Sequence, residues 1–377
     1  MSRILVTGGA GFIGSHLVDA LVGRGDDVRV LDVLDPQVHG EGATEPLLIL
    51  DHVAAGRVEF IHGDVADPVA VDAALEGVDV VFHHAAAVGV GQSMYRVADY
   101  VRTNSLGTAV LLEAMAKHRD RLLRAVVASS MSIYGEGRYR CGEHGDVAPP
   151  LRGPEQLEGH DYEMHCPMCG SVVEALPTPE SKPLGPTSVY AVTKRDQEEL
   201  FLSVGAAYGI PTVALRYFNV YGPRQSLGNP YTGVAAIFAS RLLNDRPPLV
   251  FEDGLQSRDF VHVSDIVRAD LLALDNDDAV GLAHNVGTGR SLSLLDMVAT
   301  LRERLGGPEP ELVERFRQGD IRHCYADTTR ALSRLGFEAR VRFEDGIQDL
   351  AEWARDQEPE DRTEVARDEL ESAGLTI

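Results

Sequence analysis

The run Thr7-Gly8-Gly9-Ala10-Gly11-Phe12-Ile13-Gly14 constrains this chain more than any other stretch in it. It follows the apolar strand pattern Ile4-Leu5-Val6 and opens a helical pattern from Ser15 to Val22. Glycines at 8, 11 and 14 allow a tight turn, close approach of backbone to a pyrophosphate, and close packing of helix on strand. The residues that open the helix, Phe12 and Ile13 among them, then bring amide donors and the positive end of the helix dipole to that turn. Asp32 closes the next strand pattern, Val28-Arg29-Val30-Leu31, where an acid meets ribose hydroxyls. A carboxylate there repels a 2′-phosphate, so the expected dinucleotide is NAD and not NADP. His62-Gly63-Asp64-Val65 ends a third run, which places Asp64 within reach of the adenine amine.

Further strand patterns at Val58–Ile61, Val78–Phe82 and Ala125–Ala128 alternate with helical stretches such as Thr103 to His118. Val- and Ile-rich strands separated by helices predict an α/β fold with a doubly wound parallel sheet of the Rossmann type. The 377 residues suggest more than this one domain. The expected layout is a dinucleotide-binding domain at 1–140 that resumes at 181–225 and an insertion at 141–180. The stretch 226–345 is expected to be mainly a smaller α/β substrate domain, with an acidic surface helix and solvated tail at 346–377. Asp+Glu outnumber Lys+Arg by 58 to 35, a formal net charge of −23. Such a chain is repelled by nucleic acid and by anionic membrane surfaces, so neither is an expected partner. No apolar run approaches the roughly 18 residues of a membrane span. Met1-Ser2-Arg3-Ile4 leads into the first strand with no signal-peptide pattern, and a cytoplasmic protein is expected.

Ser130 stands where the fifth strand ends, and hydroxyls at the carboxyl ends of parallel strands face the ligand crevice. Tyr190 and Lys194 are four residues apart and share one face of a helix. Lys194 is one of only three lysines in the chain, with Lys117 and Lys182. A cation beside the phenol is expected to lower its pKa from about 10 and to make Tyr190 a general base or acid near neutral pH. The bland alternative is an amphipathic helix with a surface lysine.

With these pieces in place the chain resembles the extended short-chain dehydrogenase/reductases, and within them the nucleotide-sugar epimerases and dehydratases. The resemblance runs from residue 1 to about 345. It also rests on His84-Ala85-Ala86-Ala87, Asn104-Ser105-Leu106-Gly107-Thr108, Arg216 to Pro223, Arg258-Asp259-Phe260-Val261-His262-Val263 and Asn285-Val286-Gly287-Thr288-Gly289. It implies that Ser130, Tyr190 and Lys194 are catalytic. It implies that Ala85, Ala86, Asn104 and Phe218 join Tyr190, Lys194 and the glycine loop in holding a tightly bound NAD. It also implies that Ser132, Asn219, Arg224, Gln225 and Arg258 meet a nucleotide-diphospho-sugar. For Arg258 the alternative is a surface ion pair with Asp259. Homodimers are usual in the family, here through helices near 98–118 and 188–208.

Dehydratases resembling this fold carry an Asp-Glu pair after the serine or threonine that matches Ser130; here Met131 and Ser132 stand there. Neither protonates a leaving hydroxyl well, so dehydration is disfavoured and 4-epimerisation is expected. Three stretches resemble bacterial dTDP-L-rhamnose 4-epimerases: Val88 to Tyr95, Ser130 to Gly137, and Gln225 to Val234. UDP-glucose 4-epimerisation is the nearest rival. A non-catalytic NAD sensor on the same fold is opposed by the intact Tyr190 and Lys194.

The segment 136–186 breaks the alternation and carries Cys141-Gly142-Glu143-His144 and Cys166-Pro167-Met168-Cys169. Two close pairs of thiolate and imidazole ligands suit a tetrahedral, structural zinc in a ribbon-like insertion. His160 and His165 are competing ligands, and reduced thiols or a redox disulfide are the alternatives. Lying between two catalytic residues, the insertion is expected to flank the sugar pocket and shape its entrance. Cys324 reads as a packed apolar residue.

Overall fold

The computed structural model describes residues 2–375 except Thr232, Glu314, Arg315, Arg317, Gln318, Glu358 and Glu360. Thr232, in the stretch Gln225 to Val234, therefore lies outside the described residues, as does Met1. The apolar runs of the first half form β1 (Arg3–Thr7), β2 (Asp27–Asp32), β3 (Val58–His62), β4 (Val80–His83) and β5 (Arg124–Ser130). With β9 (Thr212–Tyr217) and the strand Ala283–Val286 they make one parallel sheet, in the order Ala283–Val286, β9, β5, β4, β1, β2, β3. The order reverses between β1 and β4, and a ligand crevice is expected outside the strand ends at such a reversal. Two apolar layers, one on each face, bury the sheet; Ile4, Val6 and Phe82 point to one and Leu5, Val81 and Val127 to the other. That is why these strands read as continuous Val and Ile runs rather than alternating ones.

The seventh strand belongs to the part of 226–345 that lies outside the smaller unit. Ala283–Val286 falls within 226–345, yet it pairs with β9 in register Ala283 to Ala214. The helix Val263–Asp275 likewise packs Ile266, Val267, Ala269 and Ala273 into the sheet's own core. The chain thus leaves the sheet after β9 and returns to finish it. The remaining smaller unit is built on the helices Val234–Leu243, Leu294–Leu305 and Phe343–Arg355 around a separate core.

The tail differs from expectation. Phe343–Arg355 is half-sunk through Ile347, Leu350, Ala351 and Ala354. A second helix, Thr363–Ser372, follows and buries Ala366 and Leu370. Leu370 packs on Gly91, where an added Cβ would lie 3.1 Å from Leu370 Cδ2.

The insertion forms a three-stranded antiparallel sheet, with β6 (Arg138–Cys141) between β7 (Gly145–Val147) and β8 (Glu174–Leu176). Its small core is Tyr139, Cys141, Met164, Cys166 and Val173.

Candidate active site

The carboxyl ends of the sheet strands open into a cavity of about 1150 Å³ that runs between the two units. Gly8 adopts φ +71° at its floor, and a Cβ on it would lie 2.7 Å from the amide nitrogen of Ala85. A Cβ on Gly14 would lie 2.2 Å from the carbonyl oxygen of Gly8. The loop therefore admits no side chain at either point, and its bare backbone faces the cavity. Asp32 caps this floor. One carboxylate oxygen accepts from the Ala10 amide at 3.0 Å and the other from Leu34 at 2.9 Å. Phe12, Ile13, Gly11, Val65, Ala85, Ala86 and Phe218 line the same cavity. Asp64 lines it too, with Arg102 paired to its carboxylate at 2.6 Å.

Asn104 does not reach the cavity wall. It is wholly buried, accepts from the Ala87 amide at 2.8 Å and donates to Ala87 O and to Thr193 Oγ1 at 3.1 and 2.9 Å. It ties the loop after β4 to the helix Val189–Tyr208. Three hydrogen bonds within the protein take both of its amide protons and one lone pair of its oxygen.

Ser130, Tyr190 and Lys194 come together at the cavity's inner wall. Ser188 caps the helix that carries the latter two, accepting from the Ala191 amide at 3.1 Å. Ser93 accepts from the Tyr190 amide at 3.0 Å and fixes the start of that helix. Ser132 donates to Ser130 Oγ from its amide at 3.2 Å and from its hydroxyl at 3.0 Å. Lys194 Nζ donates to Ala128 O at 2.9 Å. The phenol of Tyr190 does not behave as the i, i+4 lysine alone would have it. Burial raises its pKa above 10, and the hydrogen bond with Ser130 draws it only part of the way back. Lys194 is itself buried, and loss of hydration lowers its pKa to about 7. Desolvation, which spacing cannot reveal, outweighs the Ser130 hydrogen bond here.

Toward the smaller unit the wall carries Asn219, Arg224, Gln225 and Arg258. Buried polar atoms there have no protein partner: Asn219 Oδ1, Gln225 Oε1, Arg224 Nη1 and, unforeseen from sequence, Gln256 Oε1. Buried polar groups are normally paired, so such a cluster marks where a polar ligand completes the set. Arg224 also leans on Asp19 at 2.7 Å. Arg258 does not pair with Asp259, which is buried and accepts from Thr288, Gly289 and Ala326. Its guanidinium donates to three backbone carbonyls and faces Asp320 at 3.5 Å. Sequence reasoning also missed His84 as a wall residue, although its motif was in view, and the second tail helix, which adds Ala366, Arg367 and Leu370.

Cys141, His144, Cys166 and Cys169 gather with their ligand atoms within 4.8 Å of one another. His160 and His165 turn elsewhere, to Tyr162 and to Gly170 and Asp161. Cys324 is buried apart from the cluster, and burial pushes its thiol up to about 12. None of the described residues of 138–176 lines the cavity. The insertion stands one layer behind the wall, so it does not shape the entrance directly.

A doubly wound sheet with a serine, a tyrosine and a lysine at the inner wall of a nucleotide crevice defines an NAD-dependent enzyme of the extended short-chain dehydrogenase/reductase class. The profile of the NAD dependent epimerase/dehydratase family matches residues 4–155 and 166–287, and the chain belongs to that family. The break between the two matched stretches falls inside the insertion. A dTDP-L-rhamnose 4-epimerase from Burkholderia thailandensis is 35% identical over 93% of this chain and 94% of its own length. The crystal structure of a UDP-glucose 4-epimerase with UDP-glucose from Thermotoga maritima superposes with a TM-score of 0.75 at 31% identity, covering 94% of this chain and 98% of that one. A UDP-glucuronic acid 4-epimerase from Bacillus cereus, in complex with UDP-glucuronic acid and NAD, gives 0.74 at 28% identity over 94% and 99%. This chain is an enzyme of the same kind, an NAD-dependent nucleotide-sugar 4-epimerase and hence an isomerase. Among the described residues no helix is long and apolar enough to cross a membrane.

Proposed function

We propose that the chain interconverts dTDP-L-rhamnose and dTDP-6-deoxy-L-talose with a tightly held NAD. The observation that carries the reaction type is the wall beside Ser130, where Met131 and Ser132 line the cavity and the stretch Ser130–Tyr134 holds no carboxylate. Elimination of water needs an acid there; epimerisation does not. The choice of sugar is supported by the relative from Burkholderia thailandensis and by the three stretches that resemble its subfamily.

The bare loop at Gly8 and Gly14 and the carboxylate of Asp32 fit a dinucleotide whose ribose is unphosphorylated. NAD⁺, when bound, supplies the acceptor and donor of a hydride. Tyr190 takes the proton of the sugar C4 hydroxyl, and Ser130 hydrogen-bonds the same oxygen as its charge changes. Lys194, held by Ala128, keeps a cation beside the phenol when protonated. The 4-keto sugar then presents its other face, and Tyr190 returns the proton. Asn219, Arg224, Gln225 and Arg258 hold the diphosphate and sugar, Arg258 through a guanidinium fork suited to phosphate oxygens. Asp64 and Val65 border the adenine.

The Cys/His cluster fits a structural zinc. Cys141 Sγ lies 3.5 Å from His144 Nδ1 and 3.6 Å from Cys169 Sγ, and Cys166 Sγ lies 3.7 Å from His144 Nδ1. Ligands about 2.3 Å from a tetrahedral metal stand about 3.7 Å apart. With four protein ligands the ion would hold the insertion together and leave no open position for chemistry. A homodimer through the helices of 97–117 and 189–208 is supported by Val97, Val101, Leu106 and Val192, which are exposed there.

The test is to incubate the purified protein with dTDP-L-rhamnose, without added cofactor, and follow the sugar by proton NMR. A 6-deoxy-talose signal at constant total sugar nucleotide supports the reading. No change removes the rhamnose assignment, and UDP-glucose is tried next. A 4-keto-6-deoxy product from dTDP-glucose would overturn the argument from Met131 and Ser132.

A further inference from the structure

Arg322 is fully buried, and its environment joins the insertion to the cavity wall. Its guanidinium forks onto Asp253, Nη1 to Oδ1 at 2.6 Å and Nη2 to Oδ2 at 2.8 Å. Nη2 also reaches Glu163 Oε1 of the insertion at 2.7 Å. Its backbone amide donates to Glu136 at 2.8 Å. The neighbouring Gly319, Asp320 and Ile321 line the cavity. The carbonyls of Ile321 and Arg322 accept from Arg258 at 2.7 and 3.0 Å. A second strap comes from the insertion on the same segment. Arg152 donates to Asp320 O at 3.2 Å and is paired with Glu252 at 2.6 Å.

A charge buried this deeply is costly unless its partners are in place, and removing one partner leaves the other uncompensated. Such a cluster permits few arrangements of the backbone that carries it. Here that backbone presents the acceptors that aim Arg258.

We infer that Glu163 and Arg152 are positioning residues: through Arg322 and the segment 319–322, the insertion sets the aim of Arg258 toward a diphosphate. The inference rests on the reading that Arg258 meets the substrate diphosphate. It gives the insertion a role in substrate binding although none of its described strands touches the cavity.

The test uses the holoenzyme with its NAD and calorimetric binding of dTDP and UDP, beside kcat and KM for the sugar nucleotide it epimerises. Glu163→Gln keeps the side chain's shape, and Glu163 is partly exposed. It is expected to weaken diphosphate binding and raise KM about tenfold, with kcat and bound NAD unchanged. In an Arg258→Ala background the same change is expected to add nothing, because the group it aims is gone. A merely structural role would lower stability and NAD content and would add its loss in both backgrounds. Arg152→Lys repeats the cycle from the other strap if Glu163→Gln folds poorly. If Arg258→Ala weakens binding but Glu163→Gln is silent in the wild-type background, or adds its full loss in the Arg258→Ala background, positioning through the insertion is wrong. If Arg258→Ala binds dTDP and UDP as the wild type does, the diphosphate reading itself is wrong and the inference falls with it.

Discussion

Lys194 donates from Nζ to the carbonyl oxygen of Ala128 at 2.9 Å, and both residues are buried. Burial holds the ammonium's pKa near 7, down from an ordinary 10.5. The sign of the resulting pH dependence follows. Between about pH 7 and 10.5 the unfolded chain keeps this proton and the folded chain has released it, so rising pH favours the folded state across that window. Lys194→Met removes the effect. In the NAD-free protein the urea midpoint of Lys194→Met should stand highest relative to wild type below pH 7, and that advantage should shrink toward pH 10. A constant difference would count against the burial argument. Catalysis should fall about a hundredfold or more in the same variant, since the cation no longer supports proton transfer at Tyr190.

Gly14→Ala tests the cofactor loop. Its methyl would meet Gly8 O at 2.2 Å and Gly9 Cα at 2.7 Å, both backbone, so nothing flexible can yield. Overpacking of this kind costs about 1–3 kcal/mol. The purified variant should carry little NAD, read as nucleotide released on denaturation. Gly11→Ala is the internal comparison, because its methyl meets only Gly8 O at 3.4 Å. It should keep most of its NAD. Equal loss in both would point to a cause other than the close approach at Gly14.

The difference between these two glycines was hidden in the sequence, where 8, 11 and 14 looked alike. What was legible was local. The inner N-terminal strands are apolar runs buried on both faces, and the pairing of Tyr190 with Lys194 follows from helix geometry alone. What was not legible depended on burial or on long-range return of the chain. Ala283–Val286 is four residues long and follows an excursion through another unit, so nothing nearby marks it as a sheet strand. The direction of the Tyr190 pKa turns on desolvation, which has no signature in spacing. Ala366 and Leu370 are apolar at helical spacing in an acidic stretch, and only the gap at Gly91 shows what they cover. Asn104 lies in a motif that resembles a binding motif, and its buried bonds to Ala87 and Thr193 have no signature in that motif.

The cluster Cys141, His144, Cys166 and Cys169 should bind about one zinc per chain, measured by elemental analysis of protein purified without added metal. Cys166→Ser should lose it and lower the melting temperature, because the insertion's own core is only a handful of side chains. Cys324→Ser, outside the cluster, should keep the metal. A protein that folds without zinc and is indifferent to a chelator would leave four reduced thiols in place of a site.

The helix Thr363–Ser372 closes one side of the cavity. Glu369 accepts the hydroxyls of Tyr95, at 2.8 Å, and Tyr231, while Leu370 seals against Gly91. The two phenol oxygens lie 2.8 Å apart, so three separate segments meet at one carboxylate. A 4-keto sugar that escapes before the hydride returns leaves the enzyme holding NADH and unable to begin another cycle. Removing residues 357–377 should therefore raise KM and produce progressive inactivation with substrate, matched by growth of NADH absorbance and by a keto sugar in solution. Glu369→Gln should do the same more weakly, since the hydroxyls keep a neutral acceptor but lose a charged one. Turnover that stays linear in the truncated enzyme, with no NADH accumulating, would show that this helix covers the cavity without retaining what is made inside it.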